Sequence, residues 1–223
     1  MIPRCFWIKM ILQTDNIFVF DLDDTLYPER DFEKSGIEYV CQELRIDKNI
    51  IEYILGNRKN WIETIIKKNN LRFTSESILD IYRHHKPEIQ LYNDSRLFLQ
   101  KLNLFGAEMS LITDGRSITQ RNKLKALGVE SLFNSIVISE EVNSEKPAEI
   151  NYKMIMKNNL RKNYIYFADN PQKDFLAPNK LGWISVCLMD RGQNVHKQNF
   201  NLHRDFLPQY CINSFDDISL VNE

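Results

Sequence analysis

Six carboxylates, two threonines and a lysine are placed where short apolar runs end. Ile17-Phe18-Val19-Phe20 runs into Asp21-Leu22-Asp23-Asp24-Thr25, and Met109-Ser110-Leu111-Ile112 into Thr113-Asp114-Gly115. Ser135-Ile136-Val137-Ile138 leads through a loop to Lys146-Pro147, and Tyr164-Ile165-Tyr166-Phe167 is followed by Asp169 and then Asp174. Acid-rich and cation-poor in this way, the set suits phosphoryl transfer, in which catalysis is mostly positioning and charge neutralisation. A carboxylate such as Asp21 can attack phosphorus only if repulsion between anions is offset. A hard Mg²⁺ held by oxygen ligands does this, with Asp169 as the natural second protein ligand and Asp174 supporting the metal directly or through water. Asp23 lies two residues beyond Asp21, so in extended backbone it points the same way, where it can protonate a leaving-group oxygen and later activate water. Thr113 offers a hydroxyl, with the backbone N–H groups of Asp114 and Gly115 beside it, and Lys146 adds positive charge where negative charge accumulates. No single piece is specific. DxDxT also describes an Asx-rich turn, Asp-Gly a common turn, Lys146 an ordinary solvated lysine and Asp174 a helix N-cap. The inference rests on their order.

These residues converge only if the apolar runs are neighbouring parallel strands with their carboxyl ends on one rim. Runs buried on both faces are the signature of such strands, and a fifth spans 184–189. Helix-like stretches alternate with them at Asp94 to Leu104, Ser117 to Leu127 closed by Gly128, Glu149 to Asn158, and Asp174 to Leu181 closed by Gly182. Pro178 requires the last of these to start close by or bend. The alternation predicts a doubly wound α/β parallel sheet of Rossmann-like type. From Tyr27 to Pro87 nothing reads as a strand. Ile50, Ile51, Ile54, Leu55, Trp61, Ile62, Ile65 and Ile66 form one stripe of a long helix, with another helix before it and one after. The expected organisation is therefore an α/β core of residues 1–26 and 88–223 and an inserted helical cap of residues 27–87. The tail after Asp190 is polar, with Tyr210-Cys211-Ile212 read as a strand and 215–221 as a helix.

At this level the chain resembles the haloacid dehalogenase superfamily over nearly its whole length. The four motifs stand as Asp21-Leu22-Asp23-Asp24-Thr25-Leu26, Thr113-Asp114-Gly115, Lys146-Pro147 and Asp169-Asn170-Pro171-Gln172-Lys173-Asp174. Ala168 replaces a frequent glycine. The resemblance implies a covalent aspartyl-phosphate on Asp21, Asp23 as acid and base, and Mg²⁺ bound by Asp21, Asp169 and the Asp23 carbonyl. The insertion looks like the cap of the phosphoglycolate-phosphatase-like branch. Dehalogenation, by the same resemblance, uses a lone aspartate, so Asp23 speaks for phosphate esters. A phosphomutase would use the same residues, and a non-catalytic binding module would be expected to have lost Asp21 or Asp23.

Composition narrows the partners. The formal charge of -1 over 223 residues gives no global field for nucleic acid, and 43% apolar content supports a packed core. Cysteines 5, 41, 187 and 211 are too scattered for a CxxC pair and read as buried free thiols. His84 and His85, adjacent on a helix, point apart and suit no metal. The apolar run near the amino end is too short to span a bilayer, lacks a small-residue cleavage site and could supply an edge strand. A cytoplasmic enzyme acting on a small phosphorylated metabolite, a sugar phosphate or nucleotide monophosphate, is expected. Tyr27, Arg30, Asn57, Arg58 and Arg83 are the polar cap residues nearest to mind for specificity, with Gln193 and His196 on the later loop.

Overall fold

The computed structural model describes residues 6–7, 9–57, 59–69, 73–156 and 163–221. Nine strands are found among them: β1 (Phe6–Trp7), β2 (Met10–Gln13), β3 (Ile17–Phe20), β4 (Glu108–Thr113), β5 (Ser135–Ile138), β6 (Tyr164–Ala168), β7 (Ile184–Leu188), β8 (Tyr210–Ile212) and β9 (Ile218–Val221). Seven make a parallel sheet in the order β1-β8-β7-β6-β3-β4-β5, while β2 and β9 pair by themselves. The α/β reading thus holds, and its amino-terminal edge strand is β1 against β8.

Register explains the placement of the site. Phe20 aligns with Leu111 on one neighbour and Phe167 on the other, so the segments after β3, β4 and β6 leave the sheet side by side. The chain moves outward from β3 through β4 to β5, then returns to place β6 on the other side of β3. A crevice opens where the strand order reverses, which is where ligands bind in such sheets. Strand alternation fixes the two layers: Phe18 and Phe20 enter one core with Phe98, Phe167 and Phe215, and Ile17 and Val19 the other with Tyr152, Tyr166 and Trp183.

Helices α1 (Glu29–Glu43), α2 (Lys48–Gly56), α3 (Trp61–Asn69) and α4 (Ser75–His84) lie between β3 and α5 (Asn93–Leu104). They close on an apolar cluster of their own built from Ile37, Val40, Cys41, Ile54, Ile65 and Ile78. The long helix expected over 50–66 is two helices. Asn57 closes the first outside helical angles (φ -137°, ψ 64°), and Asn60, before the second, adopts left-handed backbone at φ 62°. An apolar stripe is blind to such a break, which short polar side chains allow.

The remaining helices are α6 (Ser117–Leu127), α7 (Ser139–Val142), α8 (Glu149–Met156) and α9 (Leu176–Lys180). Gly128 caps α6 at φ 68°, as expected of a glycine there. Asn158 lies outside the described residues. The α9 helix is shorter than the expected 174–181 and starts close to Pro178; its N-cap is Phe175, so Asp174 is free for other bonds. The helix expected over 215–221 is a single 3₁₀ turn, Phe215–Asp217, capped by Ser214, and then β9, whose alternating burial marks a half-covered strand. Cys41 and Cys187 are buried free thiols as expected, whereas Cys211 is disulfide-bonded. No helix among the described residues is long and apolar enough to cross a membrane.

One buried ion pair ties the carboxy-terminal segment to the core. Arg191 grips Asp94 with two parallel bonds of 2.8 and 2.5 Å, and the Ser214 hydroxyl and Phe215 N–H donate to the same carboxylate. Burial alone would raise the Asp94 pKa, but the Arg191, Phe215 and Ser214 bonds outweigh it and hold it at about 2. The folded pKa lies below the unfolded value of 3.8, so this stabilisation, about 2 kcal/mol, is complete above pH 4 and drains as the pH falls through 2. Asp94→Ala should cost about that much in urea unfolding at pH 7 and flatten the acid limb of stability; an unchanged midpoint would refute it.

Candidate active site

The crevice at the carboxyl ends of β3, β4 and β6 gathers Asp21, Asp23, Thr113, Asp114, Lys146, Asp169 and Asp174. Asp21 leaves β3 with its N–H bound to the Phe167 carbonyl at 2.8 Å, which fixes its backbone to β6. Lys146, fully buried, reaches from the loop after α7 to within 2.8 Å of Asp21 and 2.7 Å of Asp174. Its own N–H donates to the Asp114 carboxylate at 3.1 Å, and the bond to Pro147 is cis. The Thr113 hydroxyl accepts a bond from Gln120. Gly115 holds φ 139°, which an L side chain rarely adopts, and its N–H is spent on the Ser139 hydroxyl at 2.9 Å.

Asp21, Asp169 and Asp174 each bring a carboxylate oxygen to within 4.8 Å of the others, all three buried. Burial, and after it the Asp174 charge, pushes the Asp21 pKa to about 7 against the pull of Lys146. The Asp169 carboxyl is driven well up by burial and by Asp174 and Asp21. Buried, mutually repelling oxygen donors form a set suited to a small hard divalent cation and to no soft metal. Asp174 has less to give than the other two. Its Oδ1 accepts from Lys146 and from Tyr166 at 3.3 Å and its Oδ2 from the Asn170 N–H at 2.9 Å, leaving one lone-pair position. The 190–198 loop braces the rim: Asn194 donates to Asp169 Oδ2 at 2.7 Å, and Gln198 donates to the Asp169 carbonyl. Asp190 holds that loop by accepting from the N–H groups of Gly192, Gln193 and Asn194.

Sequence reasoning missed the surroundings of Asp23. Its Oδ1 accepts from the Tyr27 hydroxyl and, at 2.7 Å, from Lys123 Nζ; its Oδ2 accepts from Gln120 Nε2 at 3.0 Å. Burial would raise the Asp23 pKa, but the Lys123 charge and these three donors lower it. The signal available was helical: Gln120 and Lys123 lie three apart on α6, on one face, in the helix that follows Thr113. Asp24, at φ 54°, turns the other way to accept from the Glu29 and Val195 N–H groups. The cleft over the site is lined by Asp21, Asp23, Glu29, Asp169, Lys173 and His196 among others. Burial and then the Asp23 charge hold Glu29 protonated up to about pH 8. Among the specificity candidates, Tyr27 and His196 reach the site; Arg58 lies outside the described residues. His85 bonds the Tyr82 carbonyl through Nδ1 and stacks among Phe32 and Tyr82.

Comparison with known proteins agrees with the geometry. A glyceraldehyde 3-phosphate phosphatase of Methanocaldococcus jannaschii is 25% identical over 90% of this chain and 93% of its own length. A phosphoglycolate phosphatase of Colwellia psychrerythraea is 23% identical over 94% and 97%. The structure of the HAD-hydrolase YfnB from Bacillus subtilis bound to magnesium superposes with a TM-score of 0.67 at 16% identity, covering 91% of this chain and 96% of that one. The family model described as haloacid dehalogenase-like hydrolase matches residues 18–187, from β3 to β7, and the chain therefore belongs to the haloacid dehalogenase-like hydrolases.

Proposed function

We propose that this phosphoric monoester hydrolase is magnesium-dependent and works through an aspartyl-phosphate on Asp21. The observation that carries the reading is the juxtaposition of two unlike carboxylates two residues apart: Asp21 faces a buried cation and two further carboxylates, while Asp23 is held by donors of its own. An Asp21 oxygen attacks phosphorus and the ester P–O bond breaks, its electron pair leaving with the alcohol oxygen, which takes a proton from Asp23, a carboxyl that must enter this step protonated although Lys123 and its other donors favour the ionised form. Asp23, now anionic, takes a proton from water; the water oxygen attacks phosphorus, the bond to Asp21 breaks, and inorganic phosphate leaves. Thr113 and the Asp114 backbone orient the phosphoryl oxygens, and Lys146 stabilises the charge that gathers on them. Mg²⁺, which Asp21, Asp169 and the Asp23 carbonyl would hold with Asp174 in support, supplies the charge that offsets repulsion between carboxylate and phosphate.

Helices α1 to α4 act as a cap over the leaving group in this reading. Asp23 and Asp24 beside the site favour a neutral, hydroxyl-bearing leaving group over a carboxylate, a protonated Glu29 can donate a hydrogen bond to such a hydroxyl, and the sugar-phosphate name of the Methanocaldococcus relative points the same way. The test is phosphate release from a panel of sugar phosphates, phosphoglycolate, nucleotides and an aryl phosphate, with Mg²⁺ or EDTA. Turnover confined to Mg²⁺ and greatest for a small neutral sugar phosphate is expected. No release from any compound by folded, Mg²⁺-saturated protein would sink the hydrolytic reading and favour a mutase or a binding role.

A further inference from the structure

Lys123 is a buried lysine, 3% exposed, on a helix whose other buried side chains are core or polar packing groups. Burying an ammonium is costly, and a hydrophobic residue of the same size would commonly serve stability as well or better. Its ammonium nevertheless lies 2.7 Å from Asp23 and 4.3 Å from the centre of the Phe32 ring on α1, which closes off its other side. Tyr27 donates to the same Asp23 oxygen from the first turn beyond the motif, and Gln120 to the other oxygen from one helical turn before Lys123.

An ionised carboxylate accepts at about four lone-pair positions. Three are filled by protein donors, two on Oδ1 and one on Oδ2. The remaining lone pair belongs to Oδ2, and the Asp23 side chain is 18% exposed towards the cavity. We propose that Lys123, together with Tyr27 and Gln120, is a positioning residue for the acid and base of the reaction, turning the Asp23 carboxylate so that Oδ2 alone meets the leaving-group oxygen. The inference rests on the phosphatase reading of the site. Asp23 lines the cleft and Lys123 does not, so Lys123 acts through Asp23 and its removal should weaken the proton-transfer steps and leave substrate binding intact.

The experiment compares the parent, Lys123→Met, Tyr27→Phe, Asp23→Asn and the Lys123→Met/Asp23→Asn pair, all with Mg²⁺. The substrates are the best sugar phosphate of the panel and p-nitrophenyl phosphate, whose leaving group departs without a proton. The rate of the pre-steady-state burst reports formation of the phosphoryl-enzyme. Lys123→Met should lower it roughly 10- to 100-fold for the sugar phosphate, a fraction of what acid catalysis contributes, at nearly constant KM, with a much smaller loss for p-nitrophenyl phosphate. Tyr27→Phe, which changes one hydroxyl, should show the same asymmetry more weakly and carries the test if Lys123→Met does not fold. In the Asp23→Asn background Lys123→Met should add little. Equal losses on both substrates, a raised KM at constant kcat, or a full further loss in the pair would each overturn the positioning role. An inactive parent would instead bring down the phosphatase reading and this inference with it.

Discussion

Asp21→Asn should abolish phosphate release, by about 10⁴-fold or more, and at the same time make the metal-free protein harder to unfold at pH 8. The loss follows from chemistry, since an amide cannot form the acyl phosphate. The stability gain follows from the environment of the carboxyl, which is 5% exposed and has its pKa pushed by burial and by Asp174 from 3.8 to about 7. A raised folded pKa means that the protonated form is favoured in the fold. Its contribution is complete below pH 3.8 and is lost as the pH rises through 7, on the order of 4 kcal/mol at the alkaline end. The parent in EDTA should therefore melt at a lower temperature at pH 8 than at pH 5, and the neutral isostere should lack most of that fall. Calorimetric melts at the two pH values, beside phosphate release with Mg²⁺, check both halves. A variant that keeps even a tenth of the parent's turnover would remove Asp21 from the role of nucleophile.

The sheet and its acidic rim were legible because the positions that matter are local. A mainly apolar run that ends in aspartate states a buried strand and what stands at its carboxyl end; β3 and β6 make that statement directly, and β4 makes it with Thr113 before Asp114. Their adjacency followed from topology, and with it the meeting of Asp21, Thr113 and Asp169. Breaks within a helical pattern were not legible. Asn57 and Asn60 sit among polar residues that would equally decorate the outer face of one long helix, and only their backbone angles divide α2 from α3. The 215–221 segment failed for a different reason: its partner β2 is some 200 residues away, and pairing with it overrides a weak local preference. Lys123 and Gln120 were hidden because their meaning depends on a residue roughly 100 positions earlier. Their shared helical face after Thr113 groups the two side chains but does not say which residue they meet.

Lys146→Met should be the most destabilising single change at the site, costing about 3 to 5 kcal/mol in EDTA at pH 8, and it should cut turnover by roughly 10²- to 10³-fold. Burial alone would strip the proton from this lysine; Asp174 and Asp21 hold it on and raise its pKa well above the ordinary value. At 2.8 and 2.7 Å from those carboxylates and fully buried itself, it is the cation against which their charges are set. A methionine fills the space and leaves the carboxylates facing one another, with the Tyr166 hydroxyl as a weak neutral substitute at 3.3 Å from Asp174. The deficit should shrink towards pH 5, because without the cation the Asp21 carboxyl pKa rises further and a proton takes its place. Millimolar Mg²⁺ should restore part of the lost melting temperature and almost none of the lost rate. A cation bound among the aspartates can balance their charge, but it does not put a donor where Lys146 Nζ stands. Parallel recovery of stability and rate would show that Lys146 serves only as a counter-charge; a stability deficit that ignores both pH and Mg²⁺ would place its importance in packing. The divided result would mean that one buried lysine serves folding by neutralising the aspartates and catalysis by its position.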